Sequence, residues 1–322
     1  MTAVSAEDIN QTNDTLEITD SDVVSAGETK SFMDLSTDID NSPEDRIDIT
    51  SDYKYNAKTD KDLQKGKPLV ISETGSYTIN GNNHVIDAGN KAAVFRFTNG
   101  TVIINNLKII NSNTSAIYLN NCELRTNNVT FENNHDYYEE GGAIYAHQSN
   151  YFSTNDKFIN NYAKKGASIN AFRSIVEIDH STFINNREIG WGLIYAYKSL
   201  TTVKNTVFEN ITSQYATAIY SEDDKLTVLN SKFINLFAKN TAGAIGLKTT
   251  KSVNIENCSF IHTESCKNGG AIYADLNGDN VTTEYSVTVK NSLFKNCCSE
   301  FGGAYLQLRG QINIIDTELL NK

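Results

Sequence analysis

An aromatic or aliphatic residue followed two positions later by Asn returns along this chain at intervals close to 25 residues, which restricts the fold more than any other feature. Ile109, Phe131, Phe158, Phe183, Phe208, Phe233, Phe260, Phe294 and Leu319 are 22, 27, 25, 25, 25, 27, 34 and 25 residues apart. Asn111, Asn133, Asn160, Asn185, Asn210, Asn235, Asn296 and Asn321 follow in register, and His262 is the one departure. Three residues before each anchor runs a second polar column: Asn106, Asn128, Asn155, Asn205, Asn230, Asn257 and Asn291, with His180 and Asp316 replacing Asn. A period of this length is the signature of stacked, self-similar units. Columns of Asn are expected where successive coils turn the same corner, because each amide can bond to the amide one layer above or below.

Each unit also carries a small residue and then Ile, as in Ala116-Ile117, Ala143-Ile144, Ala218-Ile219 and Ala271-Ile272. Glycine pairs precede several of these, for instance Gly141-Gly142 and Gly269-Gly270, where a corner needs positive φ or close backbone approach. An apolar pair stands seven and five residues before the anchor, as in Val176 and Ile178 or Val253 and Ile255. Period-two alternation three times per unit means three short strands and three corners. The absence of a 3.6-residue period excludes helix-pair repeats. The predicted fold is all-β, a right-handed parallel β-helix of about ten coils, roughly 50 Å long at ~4.8 Å per layer, with the hand that parallel crossovers take.

Charge is unevenly placed. Residues 1–50 hold 13 acids against Lys30 and Arg46, a balance that equals the net charge of the whole chain, −11. The remainder is neutral and lacks the basic stripe that nucleic acid or an anionic membrane would require. No apolar run approaches the ~20 residues that span a bilayer. Val4-Ser5-Ala6 before Glu7-Asp8 resembles a signal-peptidase site whose apolar region is missing, so an exported, extracellular protein is expected, its signal removed. Sequons such as Asn99-Gly-Thr and Asn280-Val-Thr agree weakly with export.

Residues 1–28 read as a disordered acidic leader. Ser31 before Phe32, Met33, Leu35 and Ile39 predicts a short amphipathic helix with Ser31 as N-cap, covering the open end of the β-helix within a cap over 29–60. The β-helix occupies 29–322, and the stop at Lys322 in mid-coil suggests truncation of a longer protein. One coil is eight residues longer than its neighbours, and its excess holds Asp275, Asn277 and Asp279. These match the first three ligands of a calcium loop but lack its sixth-position glycine and twelfth-position acid, so a solvated turn is the better reading and a structural calcium the weaker one. Five cysteines form neither a disulfide framework nor a metal pattern, although one bridge from Cys266 to Cys297 or Cys298 is conceivable between neighbouring coils.

Gly141-Gly-Ala-Ile-Tyr145, Phe158-Ile-Asn-Asn161 and Tyr77-Thr-Ile-Asn-Gly-Asn-Asn-His-Val-Ile86 together resemble the β-helix repeats of adhesin-like proteins from methanogenic archaea, and are similar to the repeats of bacterial polymorphic outer-membrane proteins. The resemblance covers about residues 30–322, and weakens at Ser168, Trp191 and Leu193, where the Gly-Gly-Ala phrase is lost. It implies surface display, attachment to cells or glycans, and an anchoring region elsewhere.

Chemistry is sparse. The phrases of polygalacturonases are missing. The best acid/base group is Asp136, Glu139 and Glu140 with His147, Arg173 and His180, and a solvated corner loop explains it better than the carboxylate pair a glycosidase needs. A binding surface has stronger support: directly after the inward Ile, and therefore outward, come Tyr118, Tyr145, Tyr195, Tyr220 and Tyr273, interrupted by Asn170 and Gly246. Exposed aromatics are platforms for sugar rings or protein partners, and the alternative is a tyrosine ladder that only binds layer to layer. The loop Tyr137-Tyr138-Glu139-Glu140, with Arg187 and Trp191, is a second candidate. The expectation is a monomeric adhesin-like module without cofactor, whose partner is a carbohydrate or cell-surface protein. The alternatives are a polysaccharide lyase or glycoside hydrolase, and a rigid spacer.

Overall fold

Three sheets of parallel strands run side by side along a rod, and each strand pairs with its counterparts in the coils before and after it. The structure, a computed structural model, describes residues 28–43, 45–61, 68–72, 75–137, 141–186, 189–276 and 285–320. An 11-stranded sheet runs from Arg46–Asp48 to Gln311–Ile315, a 12-stranded sheet from Tyr53–Lys54 to Glu318–Leu320, and a 10-stranded sheet from Leu69–Ser72 to Tyr305–Gln307. By what they carry, these are the aliphatic, phenylalanine and tyrosine faces. Chain order takes them in turn, coil after coil, so the architecture is the predicted right-handed parallel β-helix. Helix α1 (Phe32–Asp40) is the one α-helix among the described residues, and no helix there is long and apolar enough to cross a membrane.

The 25-residue period exists because the anchors must lie over one another. Phe131, Phe158, Phe183, Phe208, Phe233, Phe260 and Phe294 form one column inside the rod, with centroids 4.5 to 5.2 Å apart and planes within 13° of parallel. Each contact adds about 0.5–1.5 kcal/mol to the burial of the ring. The registers Phe158↔Phe183 and Phe183↔Phe208 show the pairing that produces the column.

The two Asn columns occupy corners, and the backbone explains them more completely than the amides do. Asn133, Asn160, Asn185, Asn210 and Asn235 have φ between 50° and 56°, and the preceding column shares this left-handed conformation, His180 and Asp316 included. Most residues lose 1–2 kcal/mol there, and Asn is among the few that visit it routinely. Amide rungs join part of each column: Asn128 Nδ2 donates to Asn106 Oδ1 at 2.8 Å, and Asn235 to Asn210 at 3.2 Å. Asn155 instead donates to Asn127 of the preceding layer, the residue before Asn128, at 3.3 Å. A third, buried ladder lies just inside the corner. The amide nitrogens of Asn134 and Asn161 donate to the carbonyls of Ile109 and Phe131, and the Asn161 and Asn186 side-chain oxygens accept from the backbone of the preceding layer at 3.0 and 2.6 Å.

At Gly142 a Cβ would stand 2.4 Å from the Ala167 carbonyl and 2.6 Å from that of Tyr162, so the layers meet there backbone to backbone. Polar groups also lie inside the rod. Asp156, almost fully buried, accepts from the hydroxyls of Thr126 and Ser153 and from Val129 N–H at 2.7 Å, beside the buried Tyr151. Burial pushes its carboxyl up to about 6, against the pull of those hydrogen bonds.

Ser31 caps α1 as expected. Its hydroxyl accepts from Asp34 N–H while its own N–H donates to the Asp34 carboxylate, and Phe32 and Leu35 are buried against the first coils. The buried carboxylate of Asp60 takes two further N–H groups of the first turn, from Phe32 and Met33. In the last described layer Ile312, Ile314 and Leu319 are exposed where Val287, Val289 and Phe294 are buried one coil earlier. No bridge links Cys266 to Cys297 or Cys298. All five thiols are free, Cys266 and Cys298 exposed and the other three buried.

Candidate binding cleft on the tyrosine face

The strands of the tyrosine face from Ile117–Asn120 to Ile272–Asp275 are four residues each and alternate in-out-in-out, so the face shows two outward columns and not one. The first carries Tyr118, Tyr145, Asn170, Tyr195, Tyr220, Gly246 and Tyr273. The second, two residues further on, carries Asn120, His147, Phe172, Tyr197, Glu222, Lys248 and Asp275 in the same coils. Alternation would have exposed this second column in the sequence, since Ile-Tyr-Ala-His147, Ile-Asn-Ala-Phe172 and Ile-Tyr-Ala-Tyr197 place an aromatic ring at its last position.

The columns stack along the rod. Tyr118 meets Tyr145 at 5.1 Å, and His147, Phe172 and Tyr197 follow one another at 5.3 and 5.6 Å. Tyr195 lies flat on Tyr220, 5.5 Å away and 5° from parallel. Tyr195 departs from the expectation of an exposed ring. It points away from the core as alternation demands, yet only 8% of it is accessible, because the next ring covers its face and its hydroxyl donates to Glu222 Oε2 at 2.8 Å. Burial, and then that carboxylate, holds the hydroxyl protonated far above the ordinary tyrosine range. Tyr220 shifts the same way, chiefly through burial.

At Asn170 the first column lacks a ring, and the gap is a cleft of about 490 Å³. Asn170 is its floor, with Tyr145 and Tyr195 before and after it, and Phe172 and Tyr197 along one side. Trp191 and Lys165 come from the corner to close the other side, the ammonium lying 5.4 Å from the Trp191 ring and 5.5 Å from that of Tyr195. Trp191 is itself stacked on Tyr215 at 5.7 Å. The far end is polar: Lys248 Nζ donates to Glu222 Oε1 at 2.8 Å, and this bond raises the lysine pKa. Gly246, the second missing ring, has a different cause. A Cβ there would meet Ala216 Cβ at 2.9 Å and Tyr220 Cδ2 at 3.0 Å, so the glycine makes room for the Tyr220 ring to lie over it.

The other candidates are separate from this cleft. Tyr137, 67% exposed, groups with His135 and Tyr162 at 5.9 and 5.8 Å on a corner of its own, and Tyr138, Glu139, Glu140 and Arg187 lie outside the described residues. The described members of the acid/base group do not converge. Asp136 is buried beside Ser115, His147 ends a strand of the tyrosine face, and Arg173 stacks on Phe172 at the next corner. His180 is paired with Asp179 at yet another corner, 2.7 Å away. Asp275 ends the strand after Tyr273, and Asn277 and Asp279 lie outside the described residues. No group of three metal-ligating side chains stands together among the described residues.

A family model described as right-handed β-helix region matches residues 69–233, a stretch that includes Asn170 and every aromatic wall of the cleft. No curated protein and no solved structure matches the chain.

Proposed function

As the chain belongs to the right-handed β-helix family, which includes polysaccharide-active enzymes as well as adhesins, we propose that it is a binding module whose cleft on the tyrosine face takes carbohydrate. In this reading the rod is an exported, monomeric, adhesin-like protein of the cell surface. It needs no cofactor, and its partner is a glycan or a glycan-bearing surface protein.

The observation that carries the proposal is the vacancy at Asn170. A ladder that served only to bind layers together gains nothing from leaving out one ring, whereas a floor amide between aromatic walls supplies both halves of sugar recognition. The aromatic rings that line it offer apolar surface, and Asn170, Lys165 and the Glu222–Lys248 pair offer polar groups. Binding is favoured over bond cleavage by the state of Glu222, the carboxylate that lines the cleft. One of its oxygens accepts from Tyr195 and the other from Lys248, which leaves it poorly placed as an acid or base.

Trp191 is the sole tryptophan of the chain, so its fluorescence is a direct reporter of occupancy. Titration with a panel of soluble glycans, with release of reducing ends monitored in parallel, is expected to show saturable fluorescence change without cleavage. Asn170→Tyr, which restores the missing ring, and Tyr145→Ala, which removes a wall, should each abolish the change. Saturable binding that survives both substitutions places the ligand elsewhere, and release of reducing ends turns the module into an enzyme.

A further inference from the structure

Eight Asn-x-Ser/Thr triplets lie along the chain, and the structure describes the asparagines of five: Asn99, Asn113, Asn128, Asn210 and Asn257. Four of these are tied into the packing of the coils. Asn128 Nδ2 and Asn257 Nδ2 donate to the Oδ1 atoms of Asn106 and Asn230 at 2.8 and 3.2 Å. Asn210 Oδ1 accepts from Asn235 at 3.2 Å, inside the paired strand Val207–Tyr215. Asn113 has its Oδ1 buried, and the Ser115 hydroxyl that completes its triplet is buried beside Asp136. Asn99 differs on each count. It is exposed, its side chain bonds to no other described residue, and it directly follows the strand Phe95–Thr98, at the corner where the tyrosine face gives way to the aliphatic face. Asn99 and Gly100 both have left-handed φ, 62° and 58°, so the chain turns within two residues. The layers on either side hold this turn, Asn99 N–H donating to the Asn120 carbonyl at 3.4 Å and Thr101 N–H to that of Gly75 at 2.8 Å. Thr101, the last residue of the triplet, opens the strand Thr101–Asn105 at an outward position. A free amide and an outward hydroxyl are thus presented together on a backbone already fixed.

We infer that Asn99 is a site of N-glycosylation that stays open in the folded protein, the substrate being an oligosaccharide carried on a polyprenyl diphosphate. This rests on the reading of the chain as exported and adds a covalent modification away from the cleft. Transfer forms a bond between the anomeric carbon of the sugar and Asn99 Nδ2 and breaks the bond between that carbon and the diphosphate, which leaves with its lipid. The amide loses one proton, and nothing is oxidised or reduced. At Asn128 and Asn257 the same nitrogen must first leave a hydrogen bond to the layer before, and at Asn210 a glycan has to grow out of the middle of a strand whose amide already holds the layer after. At Asn99 it displaces nothing. The coil of Asn99 precedes that of Tyr145 by two layers, about 10 Å along the rod, so the glycan is rooted outside the cleft.

The full chain, folded and free of glycan, is incubated with a short polyprenyl-diphosphate oligosaccharide and a purified single-subunit oligosaccharyl transferase that requires only the three-residue motif. A synthetic peptide for each described triplet is run beside it, so that the rate at each asparagine of the protein is compared with the rate of the same sequence without its fold. Peptide mass spectrometry reads the occupancy. Asn99 should react nearly as fast as its peptide, whereas Asn128 and Asn257 should fall behind theirs by about 2- to 12-fold or more, the equivalent of one hydrogen bond, and Asn113 and Asn210 should also lag. Asn99→Gln should remove the modification at this corner, as should Thr101→Val, which leaves Asn99 in place, while Thr101→Ser should keep it. Asn99 left bare while its peptide is modified overturns the assignment. Modification of Asn128, Asn210 or Asn257 as fast as Asn99, each relative to its peptide, overturns it too. Because the transferase meets the purified protein directly, either failure counts against Asn99 and not against export, which fractionation of the native cells tests separately.

Discussion

Replacing Asp156 by Asn should make the protein more stable at pH 7 and leave it almost unchanged at pH 4. The native carboxyl is pushed from an ordinary 3.8 up to about 6 by burial. Between those values the folded protein holds a proton that the unfolded chain releases, so stability falls as pH rises through the window. A difference of roughly two pH units corresponds to about 3 kcal/mol, present below pH 4 and lost above pH 6. Asn imitates the protonated acid. Its oxygen can accept from Val129 N–H, and its amide can donate to the hydroxyls of Thr126 and Ser153, which turn toward Tyr151 and Ser181 at 3.1 Å each. Urea unfolding of wild type and variant between pH 4.5 and 7.5 measures the difference at each pH, in which the other titrating groups cancel. The variant should gain on wild type by about 2 kcal/mol across this range, most of it as pH rises toward 6, and level off above that. A constant difference, or one that shrinks as pH rises, would refute the argument that burial dominates the hydrogen bonds at this carboxylate.

Asp224, also buried and raised to about 6, should behave in the same direction, so Asp156→Asn with Asp224→Asn should show about twice the pH-dependent gain, again by urea unfolding. Phe208→Ala, in the middle of the column, should cost about 3–5 kcal/mol in thermal or urea unfolding, because stacked neighbours at 4.8 and 5.0 Å on either side cannot both collapse into the space. At Asn185, with φ of 56°, substitution by Ala should cost about 1–2 kcal/mol and substitution by Gly distinctly less, a comparison that separates backbone conformation from loss of the amide. Gly142→Ala should open the adjoining layers, seen as faster hydrogen exchange around Ala167 and Tyr162, whose carbonyls would otherwise lie within 2.6 Å of the new methyl group.

The coil was legible because stacking imposes its period on the sequence directly. Phe158, Phe183 and Phe208 must coincide in projection, so their spacing in the chain is the geometry of the fold. The Asn columns were legible as corners, but their reason was only half visible. Amide rungs are a property of neighbouring side chains that local turns redirect, as at Asn155, whereas the left-handed φ applies at every layer. The site was harder. Asn170 looked like an interruption in a run of tyrosines, and what makes it a floor is the pair of rings one coil before and one coil after. Lys165 and Trp191 reach the cleft from a corner, where lengths vary between coils and alternation gives no direction. Asp136, His147 and His180, near one another in sequence, were dispersed because a side chain returns to the same side of the rod only after about one coil, and these residues are separated by other intervals.

The missing ring has a consequence for how such a surface changes over generations. The backbone beneath Asn170 is the same as that beneath Tyr145 and Tyr195, and each coil leans on its neighbours in the same way. Recognition at this face is therefore a pattern of occupied and vacant positions written on an invariant lattice. A single codon change can close one vacancy and another can open a new one a layer away, so the binding position can drift along the rod while the fold beneath it stays as it is.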